Sequence, residues 1–254
     1  MARYFIEVTY DGTAFHGSQL QGETPTVQLA INTALSTLLR KEIISFGASR
    51  TDEGVHALCA YYHFDLEEPL HPQFQYKLNA ILPETVSVNR VFLANNPETN
   101  ARFDALSRRY RYRIYHKKNP FLLNKALHHP YRIDRSILHE TAAIIKEYTN
   151  FESFSKRNTQ TFTFNCTIMQ SYWEEKDDEL HYVVEANRFL RGMVRGLVGT
   201  QLQVARGKHT VVEFRNIIEA KDCTKAYFNV AGHGLYLEHI SYPEGSLTLI
   251  EDKK

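Results

Sequence analysis

Cysteine is scarce. Cys59, Cys166 and Cys223 are odd in number and far apart, and no Cys-x-x-Cys occurs. Such a set supports neither a disulfide framework nor a zinc site, so three inert, partly buried thiols are expected. Long apolar runs are missing too. None approaches the ~18 residues of a membrane span, and no membrane association is expected. The opening MARYFIEVTYDG lacks a basic segment followed by an apolar one. It does not read as a signal peptide, and a cytoplasmic location is the expectation. Excess charge of either sign is absent: 30 Lys and Arg stand against 29 Asp and Glu, for a formal net charge of +1. That excludes a chain that is basic throughout, though not a local basic surface. The 12 histidines include no His-Glu-x-x-His spacing. His128-His129 reads as a loop pair rather than a ligand pair, and no metal is expected.

What is present is an ordinary globular composition, 43% hydrophobic over 254 residues, enough for one large domain or two small ones. RYFIEVTYDG alternates over Tyr4, Ile6, Val8 and Tyr10 and ends on a turn, which reads as a strand. In TPTVQLAINTALSTLLRK the apolar residues recur at helical spacing, with Thr24 as cap and Pro25 in the first helical position. Two strands flank the turn of FGASRTDEGVHALCAYYHFDL. HPQFQYKLNAIL reads as a short helix stopped at Pro83, and VSVNRVFLA as a strand. Beyond residue 100 follow the strand Arg109 to Tyr115, a helix over SILHETAAIIKEYTNF, and a hairpin with an acidic turn at Lys176 to Glu179. RFLRGMVRGLVGTQLQVARGK and VVEFRNIIEAKD read as helices, and HGLYLEHISY as the closing strand. The expected class is α+β. Two mixed halves, 1–100 and 101–254, would share a continuous, mostly antiparallel sheet with helices packed on it and a catalytic cleft between them.

Three stretches could carry chemistry. In SRTDEGVH, Asp52 follows Arg50 in a turn released by Gly54. One reading is an Asx-type turn; the other is a carboxylate kept charged by arginine, as a nucleophile or base requires. In SRRYRYRIYHKK, strand alternation puts Tyr110, Tyr112 and Ile114 on one face and Arg109, Arg111 and Arg113 on the other. That is either core aromatics with a solvated basic edge, or a phosphate-binding face backed by a base-stacking tyrosine. In NRFLRGMVRGLVGTQL, helical spacing gives an arginine stripe (Arg188, Arg191, Arg195) beside a glycine stripe (Gly192, Gly196, Gly199). Each glycine costs about 0.8–1 kcal/mol against alanine inside a helix. Close packing of another element would offset that cost, and an arginine alongside could pin a carboxylate.

SRTDEGVHA, RFDALSRRYRYRIY, FLRGMVRGLVG and HGLYLEHISY, preceded by YDGTAFHGSQ and TVQLAINTAL, resemble the ordered signature blocks of the tRNA pseudouridine synthase A family from about Arg3 to Tyr242. The resemblance implies a cofactor-free homodimeric isomerase that converts uridine to pseudouridine at positions 38, 39 and 40 of the tRNA anticodon arm. It places the catalytic aspartate at Asp52, the active-site tyrosine at Tyr110 with Tyr112 as the second choice, and the paired arginine at Arg195. Arg50 is the motif arginine, and Arg109 and Arg111 join the substrate-binding set. The chain departs from the family pattern at Gly17-Ser18-Gln19, usually Gly-Trp-Gln, and at Ser49 to Glu53, usually Gly-Arg-Thr-Asp-Ala. It also lacks a proline near Val230. Two other classes fit less well. An inactive RNA-binding protein would not need Asp52, Tyr110 and Arg195 together. A glycosidase-type hydrolase needs a second carboxylate across the scissile bond, and Glu53 is merely adjacent in sequence.

Overall fold

The computed structural model describes residues 1–157 and 162–252. In chain order its elements are β1 (Ala2–Tyr10), α1 (Val27–Leu39), β2 (Phe46–Gly47), β3 (His56–Leu66), α2 (Phe74–Ile81), β4 (Val86–Ala94), β5 (Ser107–Tyr115), β6 (Leu127–His128), α3 (Arg135–Ile145), β7 (Ile168–Lys176), β8 (Glu179–Ala186), α4 (Met193–Ala205), α5 (Val211–Glu219), β9 (Leu235–Ser241) and β10 (Leu247–Ile250). The class is α+β, with strand pairing mostly antiparallel. Among the described residues no helix is long and apolar enough to cross a membrane.

One unit comprises residues 1–106 and 237–254. Its first six main elements run strand, helix, strand, strand, helix, strand, as the periodicity predicts. β1 is central, antiparallel to β3 on one side and β4 on the other. Tyr4 to Val8 are buried without a break, so both faces of β1 are covered. The middle of β1 carries Glu7, only 6% exposed. Its cross-strand neighbours satisfy it: the Tyr61 hydroxyl donates at 2.7 Å and Arg90 Nε at 2.9 Å. A second pair, Arg3 and Asp65, lies directly opposite in register and bonds through two N–H groups at 2.7 and 2.8 Å.

Three details differ from expectation. The cap of α1 is Thr26, whose side chain accepts from Leu29 N, so Pro25 lies outside the helix. The strand before the Asp52 turn is only two residues long and pairs with β3 at His63 and Tyr62. HGLYLEHISY does not close the chain's strands, since β10 follows and pairs with β4, which returns the C-terminal segment to the first unit.

The other unit is residues 107–236. β8 lies between β5 and β7, both antiparallel, and β6 adds a short parallel pairing to β5. The β7–β8 hairpin turns at Asp177 and Asp178, both at positive φ of 52° and 62°, as two-residue hairpin turns require. α3 and α4 share a buried polar knot with β7. Trp173 Nε1 donates to Gln201 Oε1 at 2.9 Å, and Gln201 is wholly buried. Cys59 and Cys166 are buried and unpaired by disulfides, and burial pushes each thiol up to about 11, which keeps them inert.

Each unit also buries a histidine. Burial pushes His63 in the first and His129 in the second down to about 4. Both are neutral when folded and titrate near 6.5 when unfolded, so this pair takes up about two protons on unfolding between these values. Stability is therefore full above pH ~6.5 and should fall as pH drops toward 4. Urea midpoints at pH 7, 5.5 and 4.5 should decline in that order, and His63→Gln should flatten part of the slope. A midpoint unchanged over this range would contradict neutral burial.

Candidate active site

Asp52 sits in the connection between β2 and β3, half-buried, with Arg50 and Glu53 exposed on either side. Its neighbour Thr51 is held through three groups. Thr51 N–H donates to Ser18 Oγ at 2.8 Å, its carbonyl accepts from Ser18 N–H at 3.0 Å, and its hydroxyl bonds the Tyr10 hydroxyl at 2.8 Å. After Asp52 the chain closes on itself: Val55 N–H donates to the Asp52 carbonyl at 3.2 Å, and Gly54, at φ 73°, turns the backbone. Gly12 packs so tightly that a Cβ there would lie 2.0 Å from the Val55 carbonyl oxygen. The turn is thus a fastened loop. Glu53 faces His16 at 3.4 Å, with both side chains largely exposed.

In the second unit, Tyr110, Tyr112 and Ile114 do form the buried face of β5, and Arg109, Arg111 and Arg113 are half-buried on the other. Tyr110 meets Phe189 edge-on, ring centroids 5.1 Å apart. Tyr112 is fully buried and its hydroxyl donates to the Ala231 carbonyl at 2.7 Å. Burial raises its pKa well above the ordinary tyrosine value, so it remains a donor. The arginine face is neither a solvated edge nor an uncompensated cationic surface. Arg111 pairs with Glu174 and donates to His181 Nδ1 at 3.0 Å. Arg113 forks onto Glu179 at 2.8 and 2.6 Å. Burial raises Glu179, but the Arg113 bonds and charge outweigh it and hold the carboxyl below the usual range.

The arginine stripe does not survive. α4 starts at Met193 because Gly192 adopts a left-handed φ of 73°, which ends the helical path, so Arg188 and Arg191 precede the helix. Arg195 alone of the three is helical. Its Nε donates to the Val230 carbonyl at 2.8 Å. Gly196 and Gly199 are inside α4 and serve close packing: a Cβ on Gly196 would press on Phe228, and one on Gly199 would lie 2.0 Å from the Tyr227 carbonyl oxygen. Tyr227 N–H donates to Thr200 Oγ1 at 3.0 Å. The segment 227–231 is therefore strapped to α4, with Arg195 and Tyr112 holding successive carbonyls at its end. Sequence reasoning did not find Tyr10, Ser18, Thr51 or this strap. Ser18 stood out only as a departure, and backbone carbonyls leave no residue-type signal.

Gly199→Ala should force the strap off the helix and destabilise by about 1–3 kcal/mol. Tyr112→Phe, which leaves the Ala231 carbonyl without its donor, should cost about 1–3 kcal/mol. Urea denaturation of both variants checks this; parent-like midpoints would mean the strap carries no load.

The tRNA pseudouridine synthase family profile matches residues 148–243. Over 254 residues the chain is 43% identical to the tRNA pseudouridine synthase A of Parabacteroides distasonis, covering 99% of this chain and 100% of that protein. It is 42% identical to that of Bacteroides fragilis, with 95% and 97% covered. Against that of Staphylococcus aureus (strain Newman) it is 32% identical, with 96% and 92% covered. At such identity over nearly the full length, the chain belongs to the tRNA pseudouridine synthase A family, a family of isomerases.

Proposed function

We propose that this chain converts uridine to pseudouridine at positions 38, 39 and 40 of the tRNA anticodon arm, with Asp52 as the nucleophile, acting as a cytoplasmic homodimer. The coarser activity, tRNA pseudouridine synthesis, follows from full-length relatives of that name. The observation that supports Asp52 as the nucleophile is its fastened turn. With the loop bonded on both sides of Asp52, the backbone that carries the carboxylate is fixed before substrate arrives, which lowers the entropic cost of attack.

The reaction is an isomerisation. The target uridine is flipped from the RNA stack at a cost of a few kcal/mol. The Asp52 carboxylate adds to the base or to the ribose anomeric carbon. The N1–C1′ bond breaks, the base turns, and C5 bonds to C1′. The C5 hydrogen leaves as a proton, N1 gains one, and the aspartate is released. Composition is unchanged, so neither a redox cofactor nor a group donor is required, and no metal is assigned. Arg195, the arginine that the resemblance pairs with the aspartate, would keep Asp52 charged. Tyr110 would stack on the base. Tyr112, bound to Ala231, supports the strap beside Arg195, which favours Tyr110 for that role. Exposed Arg50, with Arg109 and Arg111, would contact phosphate.

Asp52→Asn should reduce tritium release from 5-tritiated uridine in tRNA below detection, while tRNA Kd stays within about threefold, since phosphate contacts supply most affinity. Substantial pseudouridine formation by that variant would overturn the nucleophile. Free uracil from the parent protein would favour a hydrolase, and no tritium release from the parent a binding protein. Tyr110→Phe should lower turnover more than affinity, and Tyr110→Ala both; parent-like turnover of the Phe variant would leave the hydroxyl no role.

Salt dependence tests the cations. Arg50→Ala should flatten the slope of log K against log salt by about one. Arg111→Ala should change it less, because Glu174 already compensates that charge. Equal effects of the two would mean that the Glu174 pair opens on binding.

A further inference from the structure

We propose that Ser18 is a positioning residue for Asp52: with Tyr10 it clamps Thr51 and so sets the direction of the carboxylate on the next residue. The proposal rests on the assignment of Asp52 as nucleophile.

Thr51 is bonded through its N–H, its carbonyl and its hydroxyl. The first two bonds, both to Ser18, hold the peptide planes on either side of Thr51. The second of those planes supplies the Asp52 nitrogen. The Asp52 carbonyl is held in turn by Val55 N–H at 3.2 Å. With the backbone fixed before and after Asp52, its carboxylate keeps only the side-chain torsions as freedom.

The clamp is buried, Ser18 being 2% exposed and Thr51 8%. Solvent therefore does not readily replace the serine oxygen. A buried N–H deprived of its acceptor is unfavourable enough that the turn would shift to relieve it. The geometry also explains why a short hydroxyl suits this position. Gly17, at φ 98°, brings the backbone close enough that a Cβ there would lie 2.9 Å from the Thr51 carbonyl oxygen. The next side chain must therefore reach Thr51 N–H with its first atom beyond Cβ, and that atom must accept. Serine Oγ does so, whereas an indole offers only a donor. Ser18 Oγ also donates to the Ser49 carbonyl at 3.5 Å, which ties the clamp to the chain just before the turn.

Displacing a reacting group by ~1 Å can cost ~100-fold in rate. Ser18→Ala should lower the single-turnover rate of the folded enzyme about tenfold or more, with tRNA Kd within about twofold of the parent. A purely structural serine would instead lower the urea midpoint and leave the rate of the folded fraction unchanged. Thr51→Val keeps both Ser18 bonds and removes only the one to Tyr10. It should show a smaller fall in the same rate, and it carries the test if Ser18→Ala does not fold. Rates within twofold of the parent in the folded variants would overturn the clamp. Asp52→Asn, run in parallel, separates the two ideas. If it is inactive while the clamp variants turn over normally, only the clamp fails. If it forms pseudouridine, the nucleophile assignment fails.

Discussion

A carboxylate inside a sheet is costly unless it is paired, and Glu7 is paired on both sides of its strand. Tyr61 reaches it from β3 and Arg90 from β4. Slipping either neighbour by one residue would turn these partners to the opposite face and leave Glu7 buried alone. The pairing therefore helps to fix the register of three strands. Toward the end of β1 the register with β3 shifts between Val8 and Tyr10. Tyr10 comes opposite Ala57, next to the loop that precedes β3, and its hydroxyl lands on Thr51. One end of the Thr51 clamp is thus carried by a strand of this sheet.

The second unit reaches a similar end by different means. There the fastened object is an extended strap, residues 227–231, rather than a turn. Two glycines of α4 let it approach, Thr200 takes its first N–H, and Arg195 and Tyr112 hold its last carbonyls. Losing the Cβ at Gly196 and Gly199 weakens the helix locally, and packing against Phe228 and Tyr227 offsets that. Arg195 gains from the arrangement. Its side chain would otherwise sample many rotamers, and one bond to a backbone carbonyl removes most of that freedom.

Much of this was legible in the residues because it follows from periodicity. The order of elements over the first hundred residues, the limits of β4, and the division of β5 into a tyrosine face and an arginine face all depend on side-chain repeats of 2 or 3.6. What was not legible depended on single backbone torsions or on contacts distant in sequence. Helical spacing from Arg188 to Arg195 could not reveal that Gly192 would go left-handed and start the helix later. The burial of both faces of β1 depends on its neighbours, which alternation within one strand does not encode. Asp52 stood out because an acidic turn between buried strands is unusual. The residues that fasten it are a serine, a threonine and a tyrosine, and these become informative only once the fold brings positions 10, 18 and 51 together.

The charges teach a related lesson. Three arginines on alternate positions of one strand look, in sequence, like a surface made for phosphate. Glu179 comes from the neighbouring strand β8 and Glu174 from β7 beyond it; both are invisible to any local window, yet they take up Arg113 and Arg111. Part of that cluster therefore stabilises the sheet, through forked and partly buried bonds that solvent screens only weakly. A chain of net charge +1 can still attract RNA, because attraction follows the placement of charge rather than its sum. An arginine committed to a glutamate contributes little to that field beyond a few ångströms. Exposed cations such as Arg50, beside the Asp52 turn, have greater reach. Charge that holds the protein together and charge that draws its substrate can thus lie in one motif, and the carboxylates contributed by neighbouring strands separate them.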